Sequence, residues 1–208
     1  MVPLITLGGV CRPTMFAGDP RLEDIRLPDG FHIAVYASVK NARGMSLGPD
    51  GTVYVGSRDE GAVYALRDAD GDGIAETQYT IAKGLKMPAG VAFHEGDLYV
   101  SAMSRIVKLP AISDHLDDPP APVVVYDRFP TEAQHGWKYI AFGPDGKLYV
   151  PVGAPCNICL SSDSIFASIT RMNSDGTGLE IDRARRSQLR RFRLGSGGRQ
   201  PVVHRERP

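Results

Sequence analysis

The chain has 208 residues, enough for one ordinary domain, and its hydrophobic content of 42% excludes an intrinsically disordered protein. No apolar run reaches the ~18 residues that a membrane-spanning helix needs, so the sequence predicts no transmembrane segment. The formal net charge of zero is the sum of two oppositely charged parts. Residues 1–181 hold 15 Lys and Arg against 22 Asp and Glu, a net charge of −7, whereas residues 182–208 carry a net charge of +7.

The first predicted region is an N-terminal segment, residues 1–21, which begins with the apolar stretch MVPLITLGGVC. It lacks the positively charged start of a secretion signal, and residues 8–11 do not match a lipoprotein cleavage pattern. A remnant of an export signal, a wrongly chosen start and a first strand are the interpretations that remain open. A strand is then predicted over Phe31–Ala37, after the turn Pro28–Gly30.

A strand–turn–strand unit occurs three times in the next part of the chain. Each copy has an apolar strand, a tight turn and a second strand with a Tyr-Val pair, and the tyrosines Tyr54, Tyr99 and Tyr149 are 45 and 50 residues apart. Periods of roughly 40–50 residues built from short strands are typical of β-propeller blades. The sequence therefore predicts an all-β fold, a partial β-propeller over residues 22–181.

Apolar runs between these units predict the outer strands of the blades. A short helical turn is also expected at Ile112–Leu116. The predicted outer strands are Val63–Leu66, Thr80–Ala82, Ile106–Leu109, Val123–Tyr126 and Ile169–Met172.

An acidic loop in the first blade is a candidate calcium site. Asp68, Asp70 and Asp72 occupy alternate positions around Gly71 and Gly73, Glu76 follows, and Ca²⁺ prefers six to eight oxygen ligands of this kind. An EF-hand would need a glutamate where Tyr79 stands, so the nearest match is a shorter loop closed by Glu76. A solvated acidic hairpin is the alternative.

A Cys-x-x-Cys motif, Cys156 to Cys159, follows the third unit. Zinc would need two further ligands at similar spacing, and a thioredoxin-like role needs a strand–helix context that is absent from this stretch. We expect a disulfide between Cys156 and Cys159, as in exported proteins.

Two side chains are candidates for a ligand site at the centre of the propeller. His135 lies at the start of the third unit, which is the only one of the three with a histidine there, and a histidine can accept a proton near neutral pH. Arg43, just before the first unit, is a candidate partner for an anionic ligand, although a surface role suits it better. Motifs for nicotinamide cofactors, nucleotide hydrolysis and serine hydrolases are absent from the sequence.

The basic tail, residues 182–208, has no strand alternation and no apolar cluster. A disordered tail and a nucleic-acid-binding arm are two interpretations. We favour a third, because codons permitted for residues 187–196, read one base later, can encode a peptide with the strand and turn character of another blade. The tail is then out-of-frame, and no nucleic-acid partner is predicted.

The chain resembles the soluble glucose/sorbosone dehydrogenase family, and the sorbosone dehydrogenase branch most of all. The resemblance covers about residues 22–181 and depends on motifs that occur in the family's order. These motifs are Leu27–Phe31, Asn41–Arg43, Met87–Phe93, His135–Gly153, Cys156–Cys159 and Arg171–Gly176.

The resemblance implies a six-bladed propeller that uses pyrroloquinoline quinone and Ca²⁺, of which about three blades are present. It implies that His135 is the catalytic general base on the C1 hydroxyl of a sugar, or on the hydrated aldehyde of sorbosone. Hydride would pass to the C5 carbonyl carbon of the quinone. It also implies a periplasmic or secreted location, a small sugar or aldehyde substrate and an unspecified electron acceptor.

The chain departs from the family pattern in its later blades. The family's Arg-Asn pair beside the quinone, its later glutamine and its calcium ligands have no in-frame counterpart. We therefore expect the 208-residue chain itself to be inactive. A non-catalytic propeller-type binding module is the alternative function.

Overall fold

The computed structural model describes residues 21–158 and 161–182. The chain divides into two compact units, residues 1–35 and residues 36–208. In the first unit, the described residues form a 3₁₀ turn at Leu22–Asp24 followed by irregular chain. The proposed export-signal remnant, residues 1–21, and the basic tail, residues 182–208, lie almost wholly outside the described residues.

The described residues of the second unit form three four-stranded antiparallel sheets, each with its strands in chain order. This confirms the predicted all-β, partial β-propeller architecture, in which each sheet corresponds to one blade. The first sheet contains β1 (Ala42–Leu47), β2 (Val53–Ser57), β3 (Val63–Arg67) and β4 (Thr77–Ala82); the second contains β5 (Pro88–His94), β6 (Asp97–Ala102), β7 (Arg105–Leu109) and β8 (Val123–Tyr126); the third contains β9 (Ala141–Phe142), β10 (Leu148–Val152), β11 (Ser168–Met172) and β12 (Glu180–Asp182).

The Pro-Asp-Gly turns are built as their sequence predicts. In the first sheet, the Gly48 amide donates to the Thr52 carbonyl at 2.8 Å, and the Asp50 carboxylate accepts the Thr52 amide at 3.2 Å. Gly51 has a φ of +83°, a conformation that favours glycine. The same motif connects β9 to β10, and it sets the register of each inner hairpin.

The predicted strand over Phe31–Ala37 is wrong. No residue of this segment is paired in a sheet of the described chain. The Tyr36 carbonyl instead accepts a hydrogen bond from the amide of Ala75, which lies in the loop between β3 and β4. The apolar residues of the segment suit a strand, but the described part of the chain offers no strand that pairs with it. The predicted helical turn is confirmed as a 3₁₀ turn at Ile112–Asp114.

Two hydrophobic cores join successive sheets face to face. Between the first and second sheets, the Tyr54 ring stacks on Phe93 with 5.5 Å between centroids. Between the second and third sheets, the rings of Tyr99 and Phe142 meet edge to face at 4.9 Å. The largest fully buried side chains of these two cores are Tyr54, Ile81, Leu98, Leu109, Ile112, Ile106, Ile140, Leu148 and Met172.

Candidate functional site

Three residues with the same backbone conformation precede the inner strands of the three sheets. Asn41, Met87 and His135 have φ values of 58°, 54° and 53°, although none is a glycine. Asn41 and Met87 come directly before β1 and β5, and His135 comes before the segment that leads into β9. The repeat therefore places His135 at the same end of its sheet as Asn41 and Met87 in theirs.

The segment between His135 and β9 lies against the inner strand of the second sheet. A Cβ atom added to Gly90 would overlap the carbonyl oxygen of Lys138, so the two backbones are in direct contact. The buried Ser101 hydroxyl joins them, since it donates to the Lys138 carbonyl at 2.7 Å and accepts the Gly90 amide at 3.0 Å. The segment that leads into β9 thus packs on the second sheet at this end.

His135 is half-buried, and its ring is fixed by one backbone group. Its Nδ1 lies 3.0 Å from the carbonyl oxygen of Ala154. Because a carbonyl only accepts hydrogen bonds, Nδ1 must carry the proton, and Nε2 of the neutral ring then has the free lone pair. Gly153 makes this arrangement possible, since a Cβ there would lie 2.5 Å from the His135 Cβ.

A tryptophan lies beside His135, and an arginine contacts the tryptophan. The Trp137 ring meets the His135 ring edge-on at 6.1 Å, and the Arg58 guanidinium carbon lies 4.3 Å from the centre of the Trp137 ring. Cation–π contacts of this kind hold an arginine in place while leaving its donors available. These three side chains form the candidate site.

Two buried polar atoms at the end of the first sheet lack a hydrogen-bond partner among the described residues. They are the Nε of Arg58 and the Oδ1 of Asn41. The Arg58 Nε lies 3.3 Å from a carboxylate oxygen of Asp59, but this ion pair does not have the geometry of a hydrogen bond. Buried unpaired groups of this kind are costly, and they are common where a ligand supplies the missing partner.

Sequence reasoning selected Arg43 and missed Arg58. Arg43 is exposed and donates to the carbonyl of Ala42 at 2.8 Å. Ala42 pairs with Ser57, so Arg43 and Arg58 lie at the same end of the sheet, but it is Arg58 that contacts Trp137. The repeat contained a signal for Arg58. Four positions after the three repeated tyrosines the chain has Arg58, Met103 and Gly153, so only the first copy has a charged residue there.

Lys138 was also missed. Lys138 is only 2% exposed, and its ammonium donates to the carbonyls of Met103 at 2.6 Å and Gly136 at 2.8 Å. Desolvation by burial lowers the pKa of Lys138 to about 8, and the attraction of Glu132 acts in the opposite direction. Lysine in a run of aromatic and apolar residues is normally a surface residue, so its burial was not predictable from the pattern.

The acidic loop brings its four predicted residues together. One carboxylate oxygen from each of Asp68, Asp70, Asp72 and Glu76 lies within 4.8 Å of all the others. The carboxylates already accept backbone amides, for example Gly71 to Asp68 at 2.7 Å and Ala69 to Glu76 at 2.7 Å. The loop lies between β3 and β4, away from the end of the sheet that carries Arg58.

Cys156 is disulfide-bonded. Cys159 lies outside the described residues, so its pairing with Cys156 stays a prediction.

Known proteins with similar structures include two quinone-binding sugar dehydrogenases. A pyrroloquinoline-quinone-bound aldose sugar dehydrogenase from Streptomyces coelicolor is 24% identical, with a TM-score of 0.51 over 67% of this chain and 46% of that chain. The quinone domain of a pyranose dehydrogenase from Coprinopsis cinerea is 14% identical, with a TM-score of 0.57 over 66% of this chain and 34% of that chain. At these identities the likeness shows the fold.

A curated relative is similar along most of the chain. It is an uncharacterized protein of Borreliella burgdorferi, 22% identical over 167 residues, which are 74% of this chain and 42% of the relative. The chain thus spans less than half the length of this relative and of the aldose sugar dehydrogenase. Among the described residues, no helix is long and apolar enough to cross a membrane.

One family model matches the chain from residue 19 to residue 194, and its description is a domain of unknown function, DUF7133. This range includes all three sheets and the candidate site. The chain therefore belongs to the DUF7133 family.

Proposed function

We propose that the chain is part of a quinoprotein oxidoreductase that oxidises the C1 hydroxyl of a sugar or the hydrated aldehyde of sorbosone. The observation that carries the proposal is the hydrogen bond from His135 Nδ1 to the Ala154 carbonyl, which leaves Nε2 as a proton acceptor at the inner end of the sheets. The fold that the chain shares with the quinone-bound aldose sugar dehydrogenase supports the same function.

The site fits an anionic, planar cofactor. The Arg58 Nε is a buried donor without a hydrogen-bond partner among the described residues, and the guanidinium carbon lies 4.3 Å from the centre of the Trp137 ring. Carboxylates pair well with arginine, and planar rings stack on tryptophan. We propose that Arg58 and Trp137 bind pyrroloquinoline quinone, which when bound supplies the two-electron acceptor for the hydride.

His135 would act as the general base of this reaction. Nε2 accepts the proton of the substrate hydroxyl, and the ring then becomes a cation with both nitrogens protonated. The Ala154 carbonyl stabilises that cation, because its oxygen already lies 3.0 Å from Nδ1. The backbone bond also prevents the ring from turning, so the accepting nitrogen keeps one direction.

The direct test is dye reduction by purified protein after addition of pyrroloquinoline quinone and Ca²⁺, with aldoses and sorbosone as substrates. We expect the 208-residue chain to be inactive and the product of a frame-corrected gene to be active. Turnover by the short chain would contradict the first expectation. A frame-corrected product that binds the quinone but reduces no dye would contradict the proposed reaction.

The second candidate function is a non-catalytic propeller-type binding module. The contact between Arg58 and Trp137 favours it, since this pair can hold a planar anion without any chemistry at His135. The two functions differ in one observable: a binding module retains the quinone or another planar anion but reduces no dye with any of the sugars.

Replacing Arg58 with methionine is expected to weaken quinone binding by about tenfold or more, because a charge-assisted hydrogen bond contributes about 1.5–3 kcal/mol. Titration calorimetry with the quinone alone measures this. Arg67→Met is the matched control, since Arg67 pairs with Asp50 near the opposite end of the same sheet. Equal affinities for the two variants would exclude Arg58 from the quinone site.

We propose that the acidic loop binds Ca²⁺ and stabilises the first sheet. Its four carboxylates converge, and each of them already accepts a hydrogen bond from a backbone amide. Exposed loops of this kind bind Ca²⁺ weakly, with Kd in the range of about 10⁻⁴–10⁻³ M. Saturating Ca²⁺ is expected to raise the melting temperature by a few degrees.

The loop's contribution is measured by comparing two single substitutions. Asp70→Asn should abolish the effect of Ca²⁺ on melting, whereas Asp118→Asn, at an exposed position in another loop, should leave it unchanged. A melting temperature of the unsubstituted chain that does not respond to Ca²⁺ would mean that the cluster is a solvated hairpin.

The location and the tail remain proposals. We propose a periplasmic or secreted protein, which the disulfide of Cys156 supports because such bonds persist outside the cytosol. We propose that residues 182–208 are translated out of frame. Sequencing the gene tests this, and a continuous frame with no blade-like peptide in the next frame would contradict it.

A further inference from the structure

We propose that Lys138 is a positioning residue whose buried ammonium holds His135 in the orientation that accepts a proton. The catalytic role of the oriented His135 rests on the proposed function. The contact by which Lys138 orients His135 does not, and it is tested separately.

The Lys138 side chain connects two elements that meet at the candidate site. Its ammonium donates to the carbonyl of Met103, in the turn between β6 and β7, and to the carbonyl of Gly136, the residue after His135. The backbone carbonyl of Lys138 is itself held by the buried Ser101 hydroxyl. Both ends of Lys138 are therefore anchored to the second sheet, and the peptide that follows His135 is anchored through it.

The His135 loop needs such an anchor. His135 has a φ of +53°, a conformation that residues other than glycine rarely adopt, so the local backbone does not favour it on its own. Residues 136–140 form no ladder with a neighbouring strand that would fix their register. The hydrogen bond at the Gly136 carbonyl acts one peptide away from the strained residue.

A hydrogen-bond donor suits this position better than an apolar group would. Lys138 is buried, and both of its carbonyl acceptors carry partial negative charge. The Phe129 ring also lies 5.6 Å from the ammonium, within the range of a cation–π contact. An apolar side chain of similar length would fill the volume but leave the Met103 and Gly136 carbonyls unpaired.

The first test measures the tautomer of His135 in the full chain by ¹⁵N NMR, with the signal assigned by comparison with His135→Asn. The unsubstituted chain should show the Nδ1–H form. In Lys138→Met the ratio of this form to the Nε2–H form should fall about tenfold, the effect expected when the loop loses one hydrogen bond. Lys108→Met is the matched control, because Lys108 pairs with Asp97 at the far end of the second sheet.

Lys138→Arg keeps the cation and should restore at least part of the tautomer preference. An unchanged tautomer in Lys138→Met would overturn the proposal. Equal loss in the arginine and methionine variants would also overturn it, because the effect would then come from packing and not from charge.

A measurement without substitution keeps the proposal testable if Lys138→Met does not fold. In the unsubstituted chain, the ammonium hydrogens of Lys138 should exchange slowly with water and show through-bond coupling to the Met103 and Gly136 carbonyl carbons. Rapidly exchanging hydrogens without this coupling would overturn the proposal.

The two proposals fail in different ways. Suppose that Lys138→Met loses the preference for the Nδ1–H tautomer of His135, but the quinone-loaded, frame-corrected protein has no dehydrogenase activity. The proposed function then fails and the positioning role stands. If that protein is active, Lys138→Met should lower its kcat about tenfold with little change in KM. An unchanged kcat would overturn the positioning role and leave the function intact.

Discussion

Replacing His135 with asparagine is expected to lower the kcat of the quinone-loaded, frame-corrected protein by about 10²- to 10⁴-fold, the usual contribution of a general base. KM should change little, because the substitution removes an acceptor that is needed in the transition state. Asparagine is the informative replacement, since Asn41, just before the inner strand of the first sheet, adopts a similar φ of 58°. The backbone is therefore preserved while the base is lost.

The control for this experiment is Met87→Asn, at the equivalent position of the second sheet. It introduces the same side chain in the same backbone conformation, but it removes no titratable group. Dye reduction should continue at close to the unsubstituted rate. If His135→Asn and Met87→Asn have the same kcat, His135 is not the base, and the binding-module function gains support.

The second large effect is a dependence of stability on pH that arises from Lys138. Its pKa is about 8 in the folded protein, against an ordinary value of 10.5. Below pH 8 the lysine is protonated in both states, and the folded state bears the full cost of the buried charge. Above pH 8 the unfolded chain still binds this proton while the folded chain releases it. The free energy of unfolding should therefore rise with pH.

The expected rise is about 2 kcal/mol between pH 8 and about pH 9.5, because each pH unit in this window contributes about 1.4 kcal/mol. Urea denaturation at a series of pH values measures it. The window must end below pH 10, because burial raises the pKa of Tyr54 and Tyr99 and their ionisation in the unfolded chain then opposes folding.

Two lysine substitutions isolate the source of this effect. Lys138→Met should remove the rise in stability. Lys108→Met should retain it, since the hydrogen bond to Asp97 raises the pKa of Lys108 and moves its titration above this window. A flat profile in the unsubstituted chain would show that the folded protein keeps the Lys138 proton throughout the window.

Much of the fold was predictable because the sequence features of its strands and turns occur in each repeat. A strand that packs on both neighbouring sheets needs an apolar run, and a tight turn needs a glycine with positive φ, so both leave marks in the sequence. The strand Val123–Tyr126 was predicted with its observed bounds, and the third-sheet strand Ile169–Met172 was predicted to within one residue. Such features depend on residues that are close together in the chain.

The candidate site was only partly predictable. His135 was selected because it interrupts a repeat, and the structure places it at the inner end of its sheet with Nδ1 on Ala154. Its catalytic role stays a prediction. Arg58 was missed because its significance comes from the Trp137 ring, which lies 79 positions later in the chain, and no local pattern indicates that contact.

The sequence by itself determined that the chain is all-β, that a strand–turn–strand unit occurs three times and that only the third copy begins with a histidine. Tertiary structure alone decided that Lys138 is buried, that Arg58 reaches Trp137 and that Phe31–Ala37 pairs with no strand of the described chain. The physical reason is the range of the interactions. Turns and strand periodicity depend on neighbouring residues, whereas burial of a charge and stacking of side chains depend on which sheets come together.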